Sequence, residues 1–282
     1  MKQVNAMTQK EFNFNQHNTN FYGRYYKPKT VNSVVVLVHG MGEHFERYEK
    51  NVIPYYYKNS IAIITYDQFG HGKTEGKKGH NPGFEAVLDC VDEVLKQAVK
   101  IFGKKPTFLY GHSMGGNVVI NYVLRRKNNL NGVIATSPFL RLAFEPPSWK
   151  LKIAKALLKI SPSLTMSNEL DVEGISRDKA IIKDYIDDPL NHDKVSPNYS
   201  IVFIETGEWA INNANKLTIP MLLMHGTADR LTNYKASKEF AKNAGDIVDL
   251  KLFKDAYHEL HNDLIKDEAL EQMIKWIDKN II

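Results

Sequence analysis

The residues best suited to chemistry are a serine and a histidine far apart in the chain. Gly111-His112-Ser113-Met114-Gly115 fits G-x-S-x-G, between a strand-like run at 107–110 and a helical pattern at 115–126. In that setting the serine sits on a turn so tight that flanking side chains would strike the backbone. Gly111 and Gly115 meet that need. The hydroxyl then projects above the strand end, and the helix N-terminus beneath it favours developing negative charge. A serine hydroxyl is a poor nucleophile without a base. The later histidines are His192, His225, His258 and His261. His258 lies five residues past a strand that ends at Phe253, where an α/β sheet places its site. His192 falls in a stretch of broken alternation, and His225 ends a strand and is expected to point inward. His261 is the serious rival, expected as a surface or capping residue at a helix start. We expect His258 as the general base.

Where a serine stands on such a turn, an acid and then a histidine follow in chain order. Asp229 lies in the loop after a strand at 221–225 and precedes His258. Its carboxylate can accept the imidazole N–H, fix the tautomer and stabilise the imidazolium. Asp255 is too close to His258 in sequence to orient it, and Asp263 reads as a helix N-terminal carboxylate. Two backbone N–H groups are needed to hold an oxyanion. Met114 supplies one, and Met41 in His39-Gly40-Met41-Gly42 the other, with both methionine side chains expected to line an apolar pocket. Two other motifs fail. Gly72-Lys73-Thr74 resembles the end of a phosphate-binding loop, but Asp67 stands where that loop needs glycine. His258-Glu259-Leu260-His261 misses H-E-x-x-H by one place, with Asn262 where the second histidine belongs. We expect no metal and no cofactor.

The elements that position these residues are legible as alternation. Strand-length apolar runs at 34–38, 61–66, 107–110, 132–136, 221–225 and 250–253 alternate with helical patterns at 84–102, 115–126, 234–244 and 264–277. Such alternation predicts a mostly parallel sheet covered on both faces. Residues 11–16 and 20–26 predict an antiparallel hairpin at its edge. Between 139 and 199 the pattern breaks, punctuated by Pro138 at its start and by five prolines within it, which reads as an insertion: core at 1–139 and 201–282, cap at 140–200. Residues 149–160 predict a helix capped by Ser148, with Lys152, Lys155 and Lys159 on one face and Ile153, Ala156, Leu157 and Ile160 on another. A basic amphipathic helix suits an anionic membrane surface, and equally a cap packed on the body with its lysines in water.

The chain has 282 residues, 43% apolar and 24% charged, which excludes a mainly disordered chain, a collagen and a coiled coil. One cysteine, Cys90, excludes an intramolecular disulfide. The net charge of +5 is too small to imply nucleic acid. Residues 1–21 carry no apolar run, so no secretory signal is expected, and no stretch reaches the roughly 18 apolar residues of a membrane span. The expected location is cytoplasmic, peripheral to a membrane through the cap at most.

Several of these motifs, taken together and in order, resemble one family. Val38-His39-Gly40-Met41-Gly42-Glu43-His44 with Arg47-Tyr48, Asp67-Gln68-Phe69-Gly70-His71-Gly72, and Gly111-His112-Ser113-Met114-Gly115-Gly116 are similar to the monoacylglycerol lipase and lysophospholipase branch of the α/β-hydrolases, among the serine aminopeptidase S33-like hydrolases. Thr136-Ser137-Pro138, Asp188-Pro189-Leu190, His225-Gly226-Thr227-Ala228-Asp229-Arg230 and Tyr257-His258 continue the pattern. The resemblance implies an α/β-hydrolase fold with a helical cap, and a triad on Ser113, Asp229 and His258. It also implies an oxyanion hole on Met41 and Met114, and a lipid ester such as a monoacylglycerol as substrate. Gly40, His112, Phe139 and Leu140 are expected at the substrate pocket. The alternatives are a lysophospholipase, an acyltransferase, haloperoxidase-like or carbon–carbon bond chemistry on the same fold, or a non-catalytic binding protein that kept the shell.

Overall fold

Buried strands alternating with amphipathic helices build an eight-stranded sheet. The computed structural model describes residues 7–281. In chain order the elements are β1 (Gln9–Gln16), β2 (Thr19–Tyr26), β3 (Ser33–Val38), α1 (Val52–Lys58), β4 (Ile61–Tyr66), α2 (Phe84–Phe102), β5 (Thr107–His112), α3 (Met114–Arg125) and β6 (Gly132–Thr136). There follow α4 (Ser148–Ile160), β7 (Met166–Ser167), α5 (Lys179–Asp187), β8 (Lys194–Val195), α6 (Pro197–Asn212), β9 (Met221–Gly226), α7 (Tyr234–Ala244), β10 (Val248–Phe253) and α8 (Lys266–Lys279). The sheet order is β1-β2-β4-β3-β5-β6-β9-β10. Pairing is parallel from β4 to β10, and the β1–β2 hairpin joins β4 antiparallel at the edge. His17 and Asn18, both at positive φ, make the two-residue turn of that hairpin.

Every residue of β3, β4 and β9 is buried, as expected of parallel strands covered on both faces. Alternate side chains feed two cores. Val34, Val36 and Val38 join the core beneath α2, α3 and α7. Val35 and Leu37 join the one beneath α1 and α8. The carboxyl ends of β3, β5, β6 and β9 therefore open on one edge, where their loops meet.

Between β6 and β9 the sheet pauses and α4, α5, α6 and the short β7–β8 pair intervene. Helix α4 begins at Ser148 itself, behind Pro147, and no side chain caps it. Its orientation differs from the periodic reading. Leu151, Ala154, Leu157 and Leu158 turn partly inward, and the helix packs on α6, whereas Ile153 and Ile160 face solvent. The last helix also begins two residues later than its pattern suggests, at Lys266. Residues 258–263 are drawn into the protein before it starts.

Phe108, fully buried on β5, meets Trp276 of α8 edge-on, with ring centroids 6.0 Å apart. Phe108→Ala should destabilise the protein by about 3–5 kcal/mol in urea denaturation. A loss below about 1 kcal/mol would mean that this face of the sheet does not depend on α8.

Candidate active site

Ser113 stands between β5 and α3 at φ 53° and ψ −115°, a conformation that a non-glycine residue rarely adopts. Three backbone hydrogen bonds hold it. Its N–H donates to Thr136 O (3.0 Å), and its carbonyl accepts from Asn117 N–H (3.1 Å) and Phe139 N–H (2.8 Å). The flanking glycines are required by contact. A Cβ at Gly111 would lie 2.2 Å from Gly115 O, and one at Gly115 would lie 2.0 Å from Val38 O. The turn thus presses β5, α3 and the end of β3 together, and Ser113 is left partly open to solvent.

Asp229 and His258 are brought together from 29 residues apart. His258 Nδ1 lies 2.7 Å from Asp229 Oδ2, with both side chains buried. The same carboxylate accepts from the backbone N–H of Leu231 (2.8 Å) and Thr232 (3.0 Å) through Oδ1, and from Thr232 Oγ (2.9 Å) through Oδ2. His225 Nε2 lies 3.1 Å from the same Oδ2, so His225 does point inward. Burial would raise the Asp229 pKa, but His258 and His225 outweigh it and hold the carboxyl well below its usual range. Burial opposes charge on His258, yet the Asp229 carboxylate prevails and raises the imidazole above 6.5. Ser137, at φ 43°, donates its hydroxyl to His258 O (2.7 Å) and so ties this loop to the end of β6. The His258 ring is 4.7 Å from that of His112, the residue before Ser113.

The other expected residues sort by depth. Gly40 is buried, and its ideal Cβ would lie 3.3 Å from Ser113 Cβ, so the loop after β3 runs directly beside the serine. Met41 is half-buried. Met114 is buried in the core under α3, so its side chain packs in the interior. Phe139 is half-buried, while His112 and Leu140 are closed to solvent.

His261 and Asp263 are placed differently from expectation. His261 is fully buried, stacked on Tyr48 at 4.8 Å and edge-on to His112 at 4.9 Å. Asp263 is buried and accepts from Arg177 Nε (2.8 Å) and from the backbone N–H of Tyr257 (3.3 Å). Both follow from the late start of α8, which leaves residues 258–263 as a tight inward turn. Thr232 was not visible as a partner of Asp229. The Asp-x-x-Thr spacing, which suits a turn closed on the aspartate side chain, is the signal that could have found it. Asp67 accepts from the backbone N–H of Phe45 (3.1 Å) and Lys73 (2.8 Å), so the Gly72-Lys73-Thr74 loop closes on a carboxylate.

A family model described as serine aminopeptidase, S33 matches residues 29–265. The chain belongs to this family, and its fold is that of the α/β-hydrolases. An abhydrolase domain-containing protein of Dictyostelium discoideum is 34% identical over 252 residues, which are 88% of this chain and 26% of that protein. This chain therefore spans about a quarter of that relative's length. A monoacylglycerol lipase of Paleococcus ferrophilus superposes with a TM-score of 0.85 at 34% identity, covering 92% of this chain and 99% of that one. A soluble variant of the monoglyceride lipase of Saccharomyces cerevisiae, in complex with a substrate analogue, superposes with a TM-score of 0.89 at 25% identity, covering 99% and 98%.

The Asp229–His258 contact has a direct consequence for titration. Followed by NMR, the His258 imidazole should lose its proton with a midpoint above 6.5, and Asp229→Asn should move that midpoint down. A wild-type midpoint below 6.5 would contradict the pairing.

Proposed function

We propose that the protein hydrolyses carboxylic esters of single-chain lipids, monoacylglycerols first among them, through an acyl-enzyme on Ser113. The buried 2.7 Å contact between Asp229 and His258, on the sheet edge where Ser113 is displayed, carries this reading. The two monoacylglycerol lipase structures that superpose over most of the chain support the substrate class.

In the first step Ser113 Oγ attacks the ester carbonyl carbon and its proton passes to His258 Nε2. Asp229 holds the Nδ1–H and stabilises the imidazolium. The carbonyl oxygen, now negative, accepts from the Met41 and Met114 N–H groups. Collapse breaks the bond to the glycerol oxygen, which leaves with the proton from His258. Water repeats the sequence on the acyl-enzyme, giving a free fatty acid and restoring Ser113. Gly40, His112, Phe139 and Leu140 line the substrate pocket in this reading. Residues 140–200 act as the cap.

The cap also meets a lipid surface in this reading. Trp149 is 60% exposed, Ile153 49% and Ile160 81%, all on the outer side of α4, with Phe144, Leu164 and Met166 exposed nearby. Lys152, Lys155 and Lys159 are exposed among them. Apolar side chains flanked by lysines suit the boundary between acyl chains and anionic headgroups. No helix among the described residues is long and apolar enough to cross a membrane.

A fluorophosphonate probe should label the wild type and fail on Ser113→Ala. That variant should lose about four to six orders of magnitude in kcat on monoacylglycerols with an unchanged melting temperature. Near-normal turnover would remove Ser113 from the mechanism. Binding to anionic vesicles should weaken with salt and on replacing Lys152, Lys155 and Lys159 together with Gln, by about 1 kcal/mol per lysine. Equal affinity of the triple variant would remove the membrane contact.

A further inference from the structure

Beside the hydrolytic groups lies a buried cluster that the reaction does not use. Arg47 Nη1 donates to Glu43 Oε2 (2.5 Å) and to Glu259 Oε1 (2.6 Å), and Nη2 donates to Glu259 Oε2 (2.9 Å). All three side chains are nine-tenths or more buried. Glu43 Oε1 accepts from the Gly40 N–H (2.6 Å) and the Tyr48 hydroxyl (2.8 Å). Glu259 Oε2 accepts from Asn262 Nδ2 (2.8 Å). Each end of the cluster is one residue from a group of the proposed mechanism. Gly40 precedes Met41, and Glu259 follows His258.

Two carboxylates around one guanidinium make a poor stabilising device. Burial of charge is costly, and apolar residues of similar volume commonly serve stability as well or better. What the cluster does supply is geometry. The planar fork of Arg47 grips Glu259 with two parallel hydrogen bonds, and the remaining contact fixes Glu43 and with it the Gly40 N–H. The loop after β3 and the loop after β10 are otherwise 212 residues apart between Arg47 and Glu259.

Resting on the function proposed above, we propose that Glu43, Arg47 and Glu259 are positioning residues that clamp the oxyanion loop to the general-base loop and set the distance between the Met41 N–H and His258. The charged and titratable groups facing His258 are Asp229, Glu259, Glu43, His112, His261 and, through the carboxylates, Arg47. The negative charge of Glu259 favours the imidazolium. Neutralising it therefore makes His258 lose its proton at lower pH.

The test uses the full chain and the rate at which a fluorophosphonate acylates Ser113, which needs no assumption about the natural ester. The double variant Arg47→Met with Glu259→Gln keeps the net charge of the cluster but leaves Glu43 buried without its cation, so its rates are read per folded molecule. Its acylation rate and its kcat on monoacylglycerols should fall roughly 10- to 100-fold with KM little changed. Arg47→Lys, which restores charge but not the fork, should recover only part of the rate. The isosteric Glu259→Gln alone should move the acidic limb of the acylation profile to lower pH. Wild-type rates in folded variants, a full rescue by Lys, or a loss that only tracks the unfolded fraction would each overturn the clamp. Failure of the wild type itself to react at Ser113 would overturn the hydrolase reading beneath it.

Discussion

The structure depends on one strained residue. Ser113 is held at φ 53° and ψ −115°, which costs on the order of 1–3 kcal/mol and persists only when its surroundings over-determine it. Three backbone hydrogen bonds to the ends of β6 and α3 and to Phe139 do so, each contributing about 0.5–1.5 kcal/mol net. The same turn dictates glycine at 111 and 115, because β5, α3 and β3 approach there more closely than a Cβ allows. Everything at the site is measured from this turn. The serine is displayed because the chain has no room to bury it.

Around the turn the protein organises charge in a dry interior. Asp229 stays ionised because five hydrogen-bond donors converge on it, two of them histidines. Each donor substitutes for water lost on burial. Glu43 and Glu259 resolve the same problem unequally. Burial raises Glu43, while the Arg47 guanidinium outweighs burial at Glu259 and lowers it. Neutral histidines fill the remaining space. Burial keeps His112 and His261 below their ordinary value, so they pack as aromatic rings and carry no charge beside His258.

The segment between β6 and β9 obeys a different logic. Its helix α4 contributes no fully buried side chain, and its apolar residues divide between α6 and solvent. Helical periodicity identifies an apolar stripe but not its angular position against a neighbour. For α4 the period placed Ile153 and Ile160 on an apolar face without saying what that face meets, and in the structure both face solvent. The hairpin at 9–26, the long helix α2 and the strand at 61–66 were legible because local pattern and burial agree there.

By itself the sequence determined which serine stands on the tight turn, which carboxylate and histidine follow it, and that a parallel sheet carries them. Those features are local. Glycines two residues either side of a serine, and strands ending in short polar loops, are written in consecutive residues. Only the tertiary structure decided the partners across loops. His261 lies inside against Tyr48, Asp263 pairs with Arg177, Thr232 reaches Asp229, and Arg47 joins Glu43 to Glu259. The physical reason is that these contacts depend on how far each loop folds back from its strand. That distance is set by packing between segments as much as 212 residues apart.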